Sequence, residues 1–252
     1  MALLGYKKIG EGKKNIFFLH ELMGDHKNYD PILPYLNTDD FSHYFIDHRG
    51  YGFSKDIEGE YSALEAASDV SELISHLGLD EVYVLAHSMS TMIAQKLALI
   101  DSRVKKLILI TPIPASGVNV AELAKKALLD EMRKNESAVE RIVHDSSKRY
   151  TDTWREYRID MGYNSSTVEA RVGYMNMYLY TDFQSEAEQN INIPIKIIVG
   201  KHDFKVFAKR DVSKNFAQYK DVEIVECMEA GHYPMIECPV YFVSKLDEFL
   251  RY

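Results

Sequence analysis

Along most of the chain, apolar runs of strand length alternate with longer stretches whose apolar residues recur at helical spacing. Six short runs rich in Val, Ile, Phe or Leu read as strands: 15–20 (NIFFLH), 42–47 (SHYFID), 81–86 (EVYVLA), 104–111 (VKKLILIT), 195–200 (IKIIVG) and 222–227 (VEIVEC). Between them, 63–77, 88–100, 206–219 and 240–250 read as helices, the first through Leu64, Ala67, Val70, Leu73, Ile74 and Leu77. Such alternation implies crossover connections and a mostly parallel sheet with helices on both faces, an α/β fold. The beat breaks between residues 115 and 186, too long for a single loop and mostly helical in pattern. The expected organisation is a core of residues 1–114 and 187–252 with a helical cap, 115–186, inserted in it. The cap carries Trp154, the only tryptophan, together with Tyr150, Tyr157, Tyr163, Tyr174, Met175, Met177, Tyr178 and Tyr180.

Composition narrows the function classes. With 46% hydrophobic and 27% charged residues among 252, the chain can bury a large core, which excludes disorder and collagen-like repeats. A net charge of -8 disfavours phosphate backbones and anionic lipid surfaces, so neither nucleic acid nor membrane is an expected partner. No apolar run approaches the ~20 residues of a membrane span, and the N-terminus lacks a secretory apolar region; the expected location is the cytoplasm. Cys227 and Cys238 form no CxxC pair and read as buried thiols. His26, His43, His48, His76 and His144 show no ligand spacing, so no metal and no cofactor are expected. The pairs Lys125-Lys126 and Lys148-Arg149 read as solvated helix faces.

The chemistry concentrates at the ends of the predicted strands. Strand 81–86 runs through Ala86-His87-Ser88-Met89-Ser90 into an apolar helix, which puts Ser88 on a strand-to-helix turn. A nucleophile on such a turn needs small residues two positions to either side, and Ala86 and Ser90 meet that need, although both glycines of G-x-S-x-G are replaced. A plain helix N-cap is the other reading of Ser88. A serine hydroxyl needs a base, and the base needs a carboxylate to fix its tautomer. His232, in EAGHYPMIECP, follows strand 222–227, and Asp203, in VGKHDF, follows strand 195–200. Both lie past carboxyl ends of strands, where open α/β sheets place their ligands. The order Ser88, Asp203, His232 is that of the Ser…Asp…His architecture. Thr111-Pro112-Ile113-Pro114 offers no competing carboxylate.

Three further motifs agree. His20-Glu21-Leu22-Met23-Gly24 resembles an H-G-x-x-G oxyanion loop; Asp47-His48-Arg49-Gly50-Tyr51-Gly52-Phe53-Ser54 resembles a D-x-R-G-x-G-x-S turn; and the stretch from Gly231 to Pro239 resembles G-H-x-P-x-x-E-x-P. On these motifs the chain resembles a small capped serine hydrolase of the α/β-hydrolase superfamily, of esterase, lactonase or acylase type. The resemblance implies a mostly parallel sheet flanked by helices, with the cap inserted after the sixth strand of the family. It also implies an oxyanion hole built from the backbone N–H groups of Leu22 and Met89; Met89 additionally opens a helix, whose unpaired N–H groups favour an anion. Glu21 stands where the family usually has glycine, and its side chain is expected to point to solvent or to add a polar group at the pocket edge. His20 and His87 are read as holding loops together, His202 as pointing away from Asp203, and Asp47 with Arg49 as a pair fixing the glycine-rich turn.

The expected reaction is hydrolysis of an ester, thioester, lactone or amide of a small, largely apolar substrate through an acyl-enzyme on Ser88. Pocket candidates are Glu21, Trp154, Tyr157, Tyr174 and Tyr178, because aromatic and Met-rich caps make apolar walls; packing of cap on core is the other reading. The alternatives are a slow-turnover ligand receptor or a cofactor-free perhydrolase on the same fold.

Overall fold

The computed structural model describes residues 3–134, 136–146 and 150–251. The strands in chain order are β1 (Tyr6–Ile9), β2 (Lys14–Leu19), β3 (Phe41–Ile46), β4 (Val82–His87), β5 (Val104–Ile110), β6 (Ile195–Gly200) and β7 (Val222–Cys227). They form one seven-stranded sheet in the order β1-β3-β2-β4-β5-β6-β7. Only the β1–β3 pairing is antiparallel. All six expected strands are present. The seventh, β1, has the sequence YKKI and pairs on one side only, so it lacks the continuous apolar run of a strand covered on both faces. β3 and β6, by contrast, are buried throughout.

Alternate residues of the strands feed two cores. On one face Phe17, Leu19, Val84 and Leu107 pack with α1 (Ala63–His76) and α2 (Ser90–Ile100). On the other, Ile16, Phe18, Leu85 and Ile108 pack with Tyr29 and Ile32 of a 3-10 segment and with Phe242 and Leu246 near the C-terminus. Among the described residues, five helices separate β5 from β6: α3 (Glu122–Lys134), α4 (Glu136–Ser146), α5 (Asp152–Asn164), α6 (Val168–Tyr180) and α7 (Gln184–Asn190). After β6 come α8 (Lys209–Asn215), then α9 (Pro234–Glu237) and α10 (Pro239–Leu250) beyond β7. The helix expected over 206–219 is shorter than its apolar pattern, a 3-10 turn over Lys205–Phe207 followed by α8. Lys126 lies near Glu122 on an exposed face of α3 and the Lys125 ammonium sits 4.7 Å from the Tyr180 ring centroid. Lys148 and Arg149 lie outside the described residues. Among those described, no helix is long and apolar enough to cross a membrane.

The segment between β5 and β6 is tied to the sheet well away from its two ends. Gly52 N donates to Ser165 O (2.8 Å), Thr167 N donates to Gly50 O (2.9 Å), and Tyr51 and Ser166 form an isolated β-bridge. These bonds join the glycine-rich turn after β3 to the α5–α6 connection.

β2 and β4 are neighbours, and the chain leaves β2 to one side, toward β3, and β4 to the other, toward β5. Loops diverging at such a point open a crevice at the carboxyl ends of the strands. The loop after β2 carries His20 to Gly24, and the turn after β4 carries Ser88.

Candidate active site

Ser88 has φ +51°, one of three non-glycine residues with positive φ among those described. Its amide donates to Ile110 O of the neighbouring strand (2.9 Å), and its carbonyl accepts from Thr91 N (3.0 Å) and Thr91 Oγ1 (2.6 Å). The turn is therefore held from both sides, and α2 begins only at Ser90, two residues later than its apolar pattern begins. Ser90 uses its hydroxyl to join loops: it donates to His20 O and accepts from His48 Nε2 (2.9 Å).

The loop after β7 brings His232 to Asp203. His232 Nδ1 lies 2.9 and 3.0 Å from the two Asp203 carboxylate oxygens. Burial pulls the imidazole pKa down, but the Asp203 carboxylate outweighs it and the net shift is upward. Three contacts place this loop. A Cβ at Gly200 would come within 1.9 Å of Gly231 O, so only glycine lets the end of β6 approach it. The Glu237 carboxylate accepts from Gly231 N (2.7 Å) and Tyr233 N (2.9 Å), bracketing His232. His87 Nε2 donates to His232 O (2.7 Å); burial drives the His87 pKa well below the ordinary histidine value and keeps the ring neutral.

Ser88 and His232 line one cavity of about 270 Å3 with Glu21, Leu22 and Met23. Most of its wall is apolar, from Ile113, Leu128, Ile142, Met175, Leu179 and Phe207 among others. Among the described residues the Ser88 hydroxyl has no acceptor, and the buried amides of Leu22 and Met89 have none either. Unpaired buried N–H groups are rare, because their desolvation goes uncompensated. Two of them beside a serine offer a place for an anion.

His20 and His87 do hold loops together: His20 Nδ1 donates to Glu21 O (2.8 Å) while Nε2 accepts from His48 N (3.1 Å). His202 is exposed, away from the cavity. Asp47 and Arg49 do not pair. Asp47 accepts from His26 N (2.8 Å), His26 Nδ1 (2.7 Å) and Phe53 N (2.8 Å), whereas Arg49 grips both oxygens of Asp69 and Glu58 O. Each finds a partner in a different element and the turn is fixed from both sides. Of the two cysteines, Cys227 is buried, with its thiol pushed up to about 12 by burial and by Cys238 nearby, and Cys238 is only half-buried.

Of the aromatic pocket candidates, Tyr178 lines the cavity. Tyr174 does not: it is fully buried against Tyr51, Tyr61 and His48, because α6 turns that side toward the glycine-rich turn. Tyr157 is 45% exposed, and Trp154 lies tilted against Tyr150 and edge-on to Tyr233, off the cavity lining. Glu21 lines the cavity and is 3% exposed, so the solvent-facing alternative is excluded. Its carboxylate accepts from Met23 N, Asn28 Nδ2 (3.1 Å) and Arg158 Nη2 (2.9 Å). Glu237 is the acid of the G-H-x-P-x-x-E-x-P stretch, but no motif marks Asn28 or Arg158. The one signal for Arg158 is an arginine in an aromatic-rich segment of a chain that also carries an acid in place of a loop glycine.

The profile of the family described as serine aminopeptidase, S33, matches residues 10–239. No curated protein sequence matches at a significant level. Among solved structures, an esterase from Exiguobacterium antarcticum superposes with a TM-score of 0.88 at 20% identity, covering 99% of this chain and 96% of that one. A bromoperoxidase from Bacillus anthracis gives 0.86 at 17% identity over 98% and 95% of the two chains. An enol-lactonase from Burkholderia xenovorans LB400 gives 0.82 at 19% identity over 99% and 96%. Identities this low carry the fold, and the profile carries the family: the chain belongs to the serine aminopeptidase S33 family and is an enzyme of the α/β-hydrolase fold.

Proposed function

We propose that this hydrolase cleaves a carboxylic ester, thioester, lactone or amide of a small, largely apolar substrate through an acyl-enzyme on Ser88. His232 Nε2 takes the Ser88 proton as Oγ attacks the carbonyl carbon, and Asp203 stabilises the imidazolium through Nδ1. The amides of Leu22 and Met89 receive the oxyanion. Collapse of the intermediate breaks the bond to the leaving group, which takes the proton from His232. Water, deprotonated by His232, then attacks the acyl carbon and releases the acid and Ser88. The single observation that carries this reading is the coincidence, around one cavity, of a serine in a left-handed turn, an Asp203-bonded histidine and two amides without acceptors.

Helices α3 to α6 act as a cap in this reading, supported by Ile142, Met175 and Tyr178 on the cavity wall. Most of the wall is apolar and favours an apolar acyl group, with Arg141, paired with Glu131, as a cation on it. A second reading, perhydrolysis by hydrogen peroxide in place of water on the same acyl-enzyme, draws on the bromoperoxidase of like fold. The test combines p-nitrophenyl esters with a serine-reactive phosphonate. Wild type should turn over the esters and be labelled at Ser88, and Ser88→Ala should lose at least ~10³-fold of kcat. Retained activity in Ser88→Ala, or labelling elsewhere, sinks the assignment.

A further inference from the structure

Arg158 of α5 is completely buried, and apart from a bond from Nη1 to Met161 Sδ (2.9 Å) in its own helix, its hydrogen bonds go to the loop after β2 and the segment that follows it. Nη2 donates to Glu21 Oε1 (2.9 Å) and Met23 O (3.2 Å), and Nη1 donates to Asn28 Oδ1 (2.6 Å). The guanidinium carbon lies 4.2 Å from the ring centroid of Tyr233, the neighbour of His232. Glu21 in turn accepts the amide of Met23. The residue on either side of Leu22 is therefore gripped through a side chain or a backbone group, and the direction of the Leu22 amide is set between them.

A carboxylate at this place is an odd choice for an oxyanion site, since its charge opposes the charge that develops in the transition state. Arg158 cancels that charge at hydrogen-bonding distance in a setting of low dielectric. From these contacts, and resting on the acyl-transfer reading of Ser88, we infer that Glu21 and Arg158 are positioning residues: their buried pair aims the Leu22 amide at the oxyanion and makes that aim depend on α5 being docked. The electrostatic surroundings of His232 are then a balance. Asp203 after β6, Glu237 of α9 and Glu21 after β2 are acidic; His87 at the end of β4 is neutral; Arg141 of α4 stands on the cavity wall, held by Glu131; Arg158 backs Glu21. Removing either partner of the pair tips this balance in opposite directions.

The experiment compares Arg158→Gln, Glu21→Gln and the double variant for kcat, KM and the pH dependence of kcat/KM on a p-nitrophenyl ester. In Arg158→Gln the unpaired carboxylate should lower kcat by about 10-fold or more, approaching the ~10²–10³ of an oxyanion donor lost outright, with KM changed far less. The acidic limb should move to higher pH in Arg158→Gln and to lower pH in Glu21→Gln. The double variant should recover kcat relative to Arg158→Gln, because the uncompensated charge is gone. Acidic limbs that stay in place in both single variants, a loss confined to KM, or a double variant no faster than Arg158→Gln would overturn the inference. If Arg158→Gln does not fold, the acidic limb of Glu21→Gln decides it: a shift to lower pH supports the pair, and an unmoved limb overturns it. Wild type that is not labelled by phosphonate at Ser88 refutes the hydrolase reading itself, whereas labelled wild type with unmoved variants refutes only the role of the pair.

Discussion

Replacing Ser88 by glycine should make the protein more stable as it makes it inactive. At φ +51° the backbone of Ser88 sits in the left-handed region. For a residue with a Cβ that conformation costs about 1–2 kcal/mol. Glycine removes the clash but loses more chain entropy on folding, about 0.4–1 kcal/mol. The remainder, roughly 0.5–1 kcal/mol in favour of Ser88→Gly over Ser88→Ala, corresponds to about 1–4 °C in melting temperature for a chain of this size. Alanine is the right reference because it keeps the Cβ and loses only a hydroxyl that has no acceptor among the described residues; its stability should stay within ~0.5 kcal/mol of wild type. Both variants should lose at least ~10³-fold of esterase kcat. Thermal and urea denaturation of the three proteins in one buffer measure the difference. If Ser88→Gly is no more stable than Ser88→Ala, the turn carries no strain, and its geometry cannot be explained as one maintained for chemistry against a cost in stability.

Asp203→Asn should lower kcat by about 10⁴, since an amide at 2.9 Å from Nδ1 selects the wrong tautomer of His232. Its acidic limb should also move to lower pH, because the charge that raises the His232 pKa is removed; an unchanged rate would point to a different acid. His43 is buried and its pKa is pushed down to about 4 by desolvation. The native state therefore binds fewer protons there, and stability present above pH 6.5 is lost as pH falls toward 4, roughly 3 kcal/mol from this one ring. Urea unfolding at both pH values should show a smaller acid loss in His43→Asn than in wild type. Met175→Ala opens the cavity wall and should lengthen the preferred acyl chain in a series from acetyl to decanoyl esters. Trp154→Ala should leave that preference untouched and cost less than the ~3–5 kcal/mol of a fully buried aromatic; a changed chain preference in Trp154→Ala would contradict the cavity described above.

What the chain reveals in its sequence is what is local. Strands such as 195–200 show as apolar runs because both of their faces are covered, and Ser88, Asp203 and His232 show because each follows such a run. β1 escapes notice because an edge strand can keep Lys7 and Lys8. The 206–219 stretch reads as one helix because periodicity does not register the 3-10 turn that ends at Phe207. Pairings across the chain are not legible at all. Asp47 and Arg49 stand two residues apart and share opposite charge, yet each is claimed by a distant element, His26 and Asp69. Glu21 looks like a surface acid until α5, 137 positions later, supplies Arg158. Tyr174 and Tyr178 lie one turn apart on nearly the same face of α6 and have the same sequence signature, yet Tyr174 meets Tyr51 and Tyr61 while Tyr178 reaches the cavity, because what that face meets changes along the helix axis.

The helical segment that leaves the sheet after β5 and returns at the adjacent β6 looks like an exchangeable module, one that could be cut at two points and replaced by the corresponding segment of a relative. The bonds from Ser165 and Thr167 to the turn at Gly50 and Gly52 say otherwise. So does the Arg158–Glu21 pair. A foreign segment grafted at the two strand ends would leave Glu21 buried without its cation and the 50–52 backbone groups without their partners. Chimeras of this protein should therefore succeed only when the transplant carries the loop after β2 and the turn after β3 along with the helices, so that the unit of inheritance for specificity comprises three stretches of chain, distant in sequence, that must change together.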